Sequence, residues 1–202
     1  IAYSLPVWLA SKLKEEYGEE RAEAIFKSLL VRNKASIRVT DLSRKEEIKA
    51  VLEATDSPLA STGLVKEQGH FAGHDLFAEG AITIQDESSQ LVAPTLDLQG
   101  DEQVLDACAA PGGKTAHMAS YLRTGQVTAL DLYDHKLDLI QENAERLGVA
   151  ERVQTQKLDA RKVHEFFGRD SFDKILVDAP CSGIGLLRRK PDIKYNKETA
   201  DF

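Results

Sequence analysis

The segment that indicates the fold most clearly is Gln103-Val-Leu-Asp-Ala-Cys-Ala-Ala-Pro-Gly-Gly-Lys-Thr115. It starts as a short apolar strand, passes through a loop of small residues with two adjacent glycines, and continues as a helix over 115–122. Adjacent glycines let the backbone approach a ligand closely, and the N-terminus of the following helix points to the same place. This order of strand, glycine loop and helix predicts the beginning of a nucleoside-binding α/β fold.

The same rhythm repeats towards the end of the chain. Further strands are predicted at 126–131, 153–159 and 173–178, with helical segments at 135–147 and 164–167 between them. Alternating strands and helices predict a parallel, doubly wound sheet with helices on both faces.

The predicted strands end in acidic residues, namely Asp106, Asp131, Asp159 and Asp178. Ligands of such sheets bind at the carboxyl ends of the strands. An ionised carboxylate only accepts hydrogen bonds, so Asp131 suits two ribose hydroxyls and Asp159 suits an adenine amino group. The helix N-terminus after the glycines favours a carboxylate. Together these features favour S-adenosylmethionine as the ligand.

Two other nucleotide loops fit the sequence less well. A phosphate-binding P-loop requires glycine at the position of Cys108. A dinucleotide loop requires Gly-x-Gly-x-x-Gly, whereas only the last two residues of 108–113 are glycines.

The fourth strand leads into Asp178-Ala-Pro-Cys181. A cysteine here is either an inert buried thiol or a reactive one. A thiolate that adds to carbon 6 of cytosine makes carbon 5 nucleophilic enough to accept a methyl group. A zinc deaminase would need a second cysteine at Ile184, and enzymes that methylate exocyclic amines usually carry Asn/Asp-Pro-Pro-aromatic instead. The thiol therefore favours methylation of carbon.

Three motifs carry a family resemblance: Gln85-Asp-Glu-Ser-Ser89, the glycine loop over 106–115, and the segment 172–183. They resemble the NOL1/NOP2/Sun RNA cytosine-5 methyltransferases, and among these the bacterial Sun (Fmu) enzymes that act on 16S ribosomal RNA. The resemblance implies a Rossmann-like class I methyltransferase sheet, incomplete at its C-terminus, over 81–202. It also implies a small α/β RNA-recognition-like subdomain over 1–80.

The resemblance further implies a set of residues that contact S-adenosylmethionine. These residues are Cys108, Ala109, Ala110, Pro111, Gly112, Gly113, Lys114, Asp131, Asp159 and Asp178. Cys181 matches the thiol that assists product release, whereas the adduct-forming nucleophile of the family stands in a Thr-Cys motif after a fifth strand. The chain starts at Ile1 and stops at Phe202 before such a strand. We therefore expect a part of a longer protein that is inactive by itself.

Two alternatives to a small-subunit ribosomal RNA methyltransferase stay open at this point. One is a related enzyme that methylates transfer RNA. The other is a cofactor- or RNA-binding fragment without catalysis. A sheet that ends at its fourth strand would also expose an apolar edge, so we expect a partner chain or a missing C-terminal part beside it.

The amino-acid composition limits which classes of protein remain possible. Hydrophobic residues make up 42% and charged residues 29% of the chain, and no apolar run approaches a membrane span. We therefore expect a cytoplasmic protein, and the spacing of its two cysteines and five histidines predicts no metal site. The net charge of −7 does not favour RNA binding, and Arg188-Arg-Lys190 is the dense basic cluster expected to contact phosphates.

Overall fold

The structure, a computed structural model, describes residues 3–196 and divides into two compact units. The helical unit joins the N-terminal residues up to Lys34 to the segment that begins at Pro180, and the sheet unit is Ala35–Ala179. The contacts therefore do not divide the chain at residue 80, where the sequence predicts the boundary between 1–80 and 81–202.

The helices are α1 (Val7–Tyr17), α2 (Glu19–Leu29), α3 (Lys45–Leu52), α4 (Asp75–Ala78), α5 (Glu87–Gln90), α6 (Val92–Thr95), α7 (Gly113–Tyr121), α8 (Asp134–Arg146) and α9 (Val163–Phe166). The strands are β1 (Ala35–Val39), β2 (Thr55–Asp56), β3 (Gly63–Lys66), β4 (Ile82–Ile84), β5 (Gln103–Asp106), β6 (Gln126–Asp131), β7 (Val153–Lys157) and β8 (Lys174–Leu176).

The helical unit has an apolar core of its own. Leu9 of α1 and Phe26 of α2 are buried together with Leu187. The sequence predicts that residues 1–80 form one subdomain, but the apolar faces of α1 and α2 contact a residue far along the chain. This long-range contact explains why the predicted boundary differs from the observed division.

The first sheet of the sheet unit has the order β2-β3-β1-β4, and its pairs are antiparallel. Its elements follow the order β1-α3-β2-β3-α4-β4, which is the βαββαβ motif. One face carries a core that includes Ile37, Ile48, Leu64 and Ile82. Residues 35–84 therefore form a four-stranded βαββαβ sheet, which overlaps the stretch 1–80 where the sequence predicts an α/β subdomain.

The opposite face of this sheet is also buried. Ser36 and Arg38 are almost inaccessible, and the Nε2 of Gln90 in α5 lies 3.4 Å from the Ser36 hydroxyl and 3.2 Å from the Ile37 carbonyl. RNA-recognition domains stack bases on an exposed sheet face. Because α5 covers β1 here, this face cannot bind bases in that way.

The second sheet has the order β7-β6-β5-β8 with parallel pairing, as the alternation of strands and helices predicts. Its core is built around Val104, Val127 and Ile140. β8 lies at the end of this order, and Ile175 and Val177 are 57% and 67% exposed. The predicted apolar edge is therefore present beside the fourth strand of this sheet.

Helix α8 joins the two sheets. The guanidinium of Arg146 donates hydrogen bonds to the carbonyls of Phe77 (2.9 Å) and Ile82 (3.2 Å), and its centre lies 4.0 Å from the centroid of the Phe77 ring. These contacts fix the βαββαβ sheet against the parallel sheet. No helix within residues 3–196 is long and apolar enough to cross a membrane.

Gly80 provides a test of this packing. Its φ is +76°, and a Cβ added there would lie 1.9 Å from the carbonyl oxygen of Arg146. Gly148 has a similar φ of +69°, but a Cβ added there would meet nothing within 4 Å. We expect Gly80→Ala to lower the free energy of unfolding by roughly 2–4 kcal/mol and Gly148→Ala by about 1 kcal/mol. Urea denaturation of both variants measures the difference, and equal losses would refute the close approach of α8.

Candidate cofactor-binding site

The carboxyl ends of the parallel strands bring the predicted acidic residues to one edge of the sheet. Asp106 ends β5 and Asp131 ends β6, while Asp159 and Asp178 each follow their strand by two residues. Burial raises the pKa of Cys108, and the charges of Asp106, Asp131 and Asp178 raise it further. Three of the four predicted carboxylates therefore surround the loop that follows β5.

The loop between β5 and α7 is held by its neighbours on both sides. The Ala109 N–H donates to the Leu130 carbonyl (2.9 Å), and the Asn143 side-chain amide of α8 donates to the Pro111 carbonyl (2.7 Å). Gly112 has a φ of +98°, and a Cβ there would lie 3.0 Å from the Ile140 Cα. A side chain at residue 112 would therefore be strained and would press on α8, which explains the need for glycine.

The N-terminus of α7 forms one end of the site. The Gly112 carbonyl accepts from the Ala116 N–H (2.9 Å), so the N–H groups of the first turn have no acceptor within the helix. A Cβ added at Gly113 would meet nothing closer than the Gln85 Nε2, at 3.9 Å. This end of the site therefore combines open space with hydrogen-bond donors, which suits an anionic group.

Asp131 forms the other end. Its Oδ1 accepts from the backbone N–H groups of Leu132 (2.7 Å) and Tyr133 (3.3 Å), and Lys136 Nζ lies 3.8 Å from the same oxygen. Among residues 3–196, its Oδ2 has no hydrogen-bond partner. The carboxylate is therefore held in place by one oxygen, which leaves the other to accept from a ligand hydroxyl.

Asp159 is already engaged. It caps the turn after β7, its Oδ1 accepts from the Arg161 N–H (3.0 Å), and both carboxylate oxygens bind the Arg161 guanidinium. Hydrogen bonds from Arg161 lower the pKa of Asp159 to about 2. An adenine amino group would therefore have to share this carboxylate with Arg161.

Lys114 and Asp178 form an ion pair, with 2.6 Å between Nζ and Oδ2. The Asp178 side chain is about half exposed, so the pair adds little to stability. It does place a positive and a negative group together beside the loop after β5.

Asp106 is a buried residue of the site rather than an exposed one. Its Oδ2 accepts from the Thr115 hydroxyl (2.7 Å), and Oδ1 has no hydrogen-bond partner among the described residues. Burial raises its pKa to about 6, although the hydrogen bond from Thr115 acts in the opposite direction. Asp106 thus links β5 to the first turn of α7.

The two cysteines lie in different units. Cys108 is partly buried in the loop after β5, where burial and the nearby carboxylates disfavour its thiolate. Cys181 belongs to the helical unit, and its side chain is exposed. The described residues contain no group of three or more His, Cys, Asp or Glu side chains that could hold a metal ion.

Two residues at the site were not predicted from the sequence. Asn143 holds the loop at Pro111, and Gln85 directs its amide nitrogen towards Gly113. Gln85 opens one of the motifs that carry the family resemblance, so a signal was present for it. Asn143 lies in an amphipathic helix, where the sequence pattern indicates packing and nothing more.

Comparisons with known proteins agree on one family. The sequence model of the family described as 16S rRNA methyltransferase RsmB/F matches residues 93–202. A Bacillus subtilis protein named "Probable ribosomal RNA small subunit methyltransferase B" is 45% identical over 205 residues, which cover 98% of this chain and 46% of that protein. The chain thus spans about half the length of the curated relatives it matches.

Solved structures share the fold. The crystal structure of PH0851 has a TM-score of 0.90 and 32% identity, covering 98% of this chain and 46% of that one. A methyltransferase homolog protein from Pyrococcus horikoshii has a TM-score of 0.77 and 29% identity, covering 96% of this chain and 66% of that one. The parallel sheet and its helices therefore form a Rossmann-like class I methyltransferase fold.

The raised pKa of Asp106 predicts that the free energy of unfolding depends on pH. Its pKa of about 6 exceeds the ordinary 3.8, so the folded protein binds more protons than the unfolded one between these values. Stability from this group is fully present below about pH 4 and is lost as the pH rises through 6. We expect the free energy of unfolding of the wild type to fall, relative to Asp106→Asn, by about 2 kcal/mol between pH 4 and pH 7.

Denaturant titrations at several pH values measure this difference. Asp134→Asn is the matched control, because Asp134 is exposed and Lys157 lowers its pKa, so the difference from the wild type should have the opposite sign. A wild-type minus Asp106→Asn difference that does not change with pH would contradict the burial of an ionisable Asp106.

Proposed function

Because this chain belongs to the 16S rRNA methyltransferase RsmB/F family, we propose that it binds S-adenosylmethionine and forms part of an enzyme for small-subunit ribosomal RNA. The methylated atom in this proposal is carbon 5 of a cytosine. Such a substrate also fits the cytoplasmic location expected from the sequence.

The cofactor proposal rests on one observation: the site has hydrogen-bond donors at one end and a free carboxylate oxygen at the other. The first turn of α7 offers donors beside open space at Gly113, and Asp131 on the neighbouring strand keeps an unpartnered carboxylate oxygen. The first end suits the carboxylate of the methionyl part, and the second suits the ribose hydroxyls. These residues therefore fit the cofactor.

The charge of the site also favours this ligand. Asp106, Asp131 and Asp178 act together on Cys108, so the loop lies in a negative local field. A sulfonium cation is stabilised by such a field, whereas a nucleotide triphosphate is repelled. When bound, the cofactor supplies an electrophilic methyl group.

The loop and the other acidic residues complete the proposed cofactor contacts. The backbone of 108–113 would line the ligand, and Asp159 would receive the adenine amino group beside Arg161. Lys114 and Asp178, which form an ion pair across 2.6 Å, would close the site next to the sulfonium.

The proposal that a carbon atom is methylated rests on Cys181. Carbon 5 of cytosine attacks a methyl donor well only after a thiolate has added to carbon 6, and the resemblance gives Cys181 the later role of assisting product release. Cys108 is unsuited to the nucleophile's role, because its pKa is raised by burial and by three carboxylates. Neither cysteine follows a threonine, as the family's nucleophile does.

Basic residues of the helical unit support an RNA substrate despite the negative net charge. Arg188 donates to the Asn33 side chain (3.0 Å), which brings Arg188-Arg-Lys190 next to the basic residues Arg32 and Lys34. A local basic surface of this kind suits phosphates, which position an RNA without reading its bases. The covered face of the βαββαβ sheet makes base stacking there unsuitable.

The edge of β8 supports a further polypeptide beside the parallel sheet. Ile175 of the edge strand β8 and Val177 directly after it are both exposed, which is an unusual surface for an isolated protein. We propose that a partner chain or further residues of a longer protein pair with this edge.

A second candidate is a cofactor-binding unit that does not turn over. This candidate concerns the 202 residues alone, in which neither Cys108 nor Cys181 follows a threonine. The two candidates share the cofactor site and differ only in transfer to RNA.

Titration with S-adenosylmethionine tests the cofactor site. We expect Asp131→Ala to raise the Kd about 100-fold, because it removes charge-assisted hydrogen bonds to the ribose. Cys181→Ala should bind as the wild type does, and so should Asp134→Ala, which removes an exposed carboxylate three residues from Asp131. Unchanged affinity of Asp131→Ala would exclude the proposed orientation of the ligand.

Transfer to RNA separates the two candidates. We expect the 202-residue chain to bind the cofactor but to leave unmodified small-subunit RNA unlabelled by a tritiated methyl donor, because no Thr-Cys pair is present. The full-length Bacillus subtilis relative on the same RNA is the control. Robust labelling by the 202 residues would show that one of their own cysteines suffices.

A further inference from the structure

Gln85 is a buried amide with one satisfied end and one unsatisfied end. Its side chain belongs to a residue that is only 7% exposed, and its Oε1 accepts from the Arg38 Nε at 2.8 Å. Its Nε2 has no hydrogen-bond partner among the described residues. Because a guanidinium only donates, the amide oxygen must face Arg38 and the amide nitrogen must point elsewhere.

The unsatisfied nitrogen approaches the start of α7. Apart from the two chain neighbours of Gly113 and the adjacent backbone of α7, Gln85 Nε2 is the heavy atom within 4 Å of a Cβ built at Gly113, at 3.9 Å. The first-turn N–H groups of this nine-residue helix also lack acceptors within the helix. Two independent sources of donors therefore converge at Gly113: the first-turn N–H groups, which have no acceptor within α7, and Gln85 Nε2, which has none among the described residues.

Gln90 shows that an amide in the same layer can be fully satisfied. It is completely buried, its Nε2 donates to the Gln85 carbonyl (3.0 Å), and its Oε1 accepts from the Thr62 hydroxyl (3.0 Å). An unsatisfied buried donor destabilises a fold, so the orphan nitrogen of Gln85 indicates an acceptor that the protein itself does not supply.

The surroundings of Gln85 contain further donors. Arg38 Nη2 is also buried without a partner, and its guanidinium keeps a positive charge next to Gln85. His117 stays neutral, since burial and the charge of Arg38 lower its pKa to about 3. The donors and the positive charge together suit a carboxylate better than a neutral acceptor.

We propose that Gln85 binds the ligand directly, with Nε2 donating a hydrogen bond to the carboxylate of the methionyl part beside the N-terminus of α7. Arg38 is then a positioning residue, because its bond to Oε1 sets the direction of the amide nitrogen. This inference rests on the proposed cofactor function and adds to it the residue that recognises the amino-acid end. It follows that Gln85 discriminates between nucleosides with and without that carboxylate.

Two commercially available nucleosides test the proposal. S-adenosylhomocysteine carries the carboxylate, whereas 5′-methylthioadenosine lacks the amino-acid end. Calorimetric titration measures the Kd of each nucleoside. We expect Gln85→Leu to raise the Kd for S-adenosylhomocysteine at least about tenfold, because a hydrogen bond to a charged group is lost. Its Kd for 5′-methylthioadenosine should stay within about twofold of the wild type.

Gln90→Leu is the matched control, because it removes a buried amide of the same layer that is already satisfied. It should change the two affinities by the same factor. Equal weakening of both ligands by Gln85→Leu, or no weakening of S-adenosylhomocysteine, would overturn the proposal while the cofactor site stands. A wild-type chain that binds neither nucleoside would overturn the proposed function and this inference together.

A measurement on the wild type covers the case in which Gln85→Leu does not fold. The side-chain amide signals of Gln85 in a nitrogen-15 spectrum should shift when S-adenosylhomocysteine is added and stay in place with 5′-methylthioadenosine. Equal shifts with both nucleosides, or none with either, would overturn the direct contact.

Discussion

The packing of helix α8 against glycine backbone is the contact on which the rest of the sheet unit depends. Gly112 lies so close to Ile140 that a Cβ would approach its Cα to 3.0 Å, and Gly80 leaves even less room beside Arg146. The first approach, with the hydrogen bond from Asn143, fixes the loop after β5. The second fixes the βαββαβ sheet. One helix therefore determines where the N-terminus of α7 and the face that carries Arg38 lie.

Electrostatics then decide which ligand this framework suits. The chain has a net charge of −7, and the carboxylates of Asp106, Asp131 and Asp178 act together on the loop after β5. That field suppresses the Cys108 thiolate and favours a cation, whereas the donors at Gly113 favour an anionic group a short distance away. A sulfonium amino acid carries both charges. The basic residues around Arg188 likewise form a local positive cluster in a protein whose net charge is negative.

Local sequence patterns predicted the parallel sheet well, because the strands of such a sheet are short apolar runs followed by turns. β6 was predicted with its observed bounds, whereas the strand predicted over 153–159 ends at Lys157, since Asp159 turns away to cap the next element. Long-range contacts could not be predicted in this way. The pairing of α1 and α2 with Leu187 is one example. The orphan amide of Gln85 is another, since it depends on Arg38 and Gly113 meeting in space.

We propose that a sulfonium nucleoside lies across the carboxyl ends of β5 and β6. A crystal structure of the chain with S-adenosylhomocysteine tests it most directly. We expect density that runs from the first turn of α7 to the carboxylate of Asp131, with the amino-acid end at Gly113. Density at another place, or with the ligand reversed so that its adenine lies at Gly113, would contradict this position and orientation of the ligand.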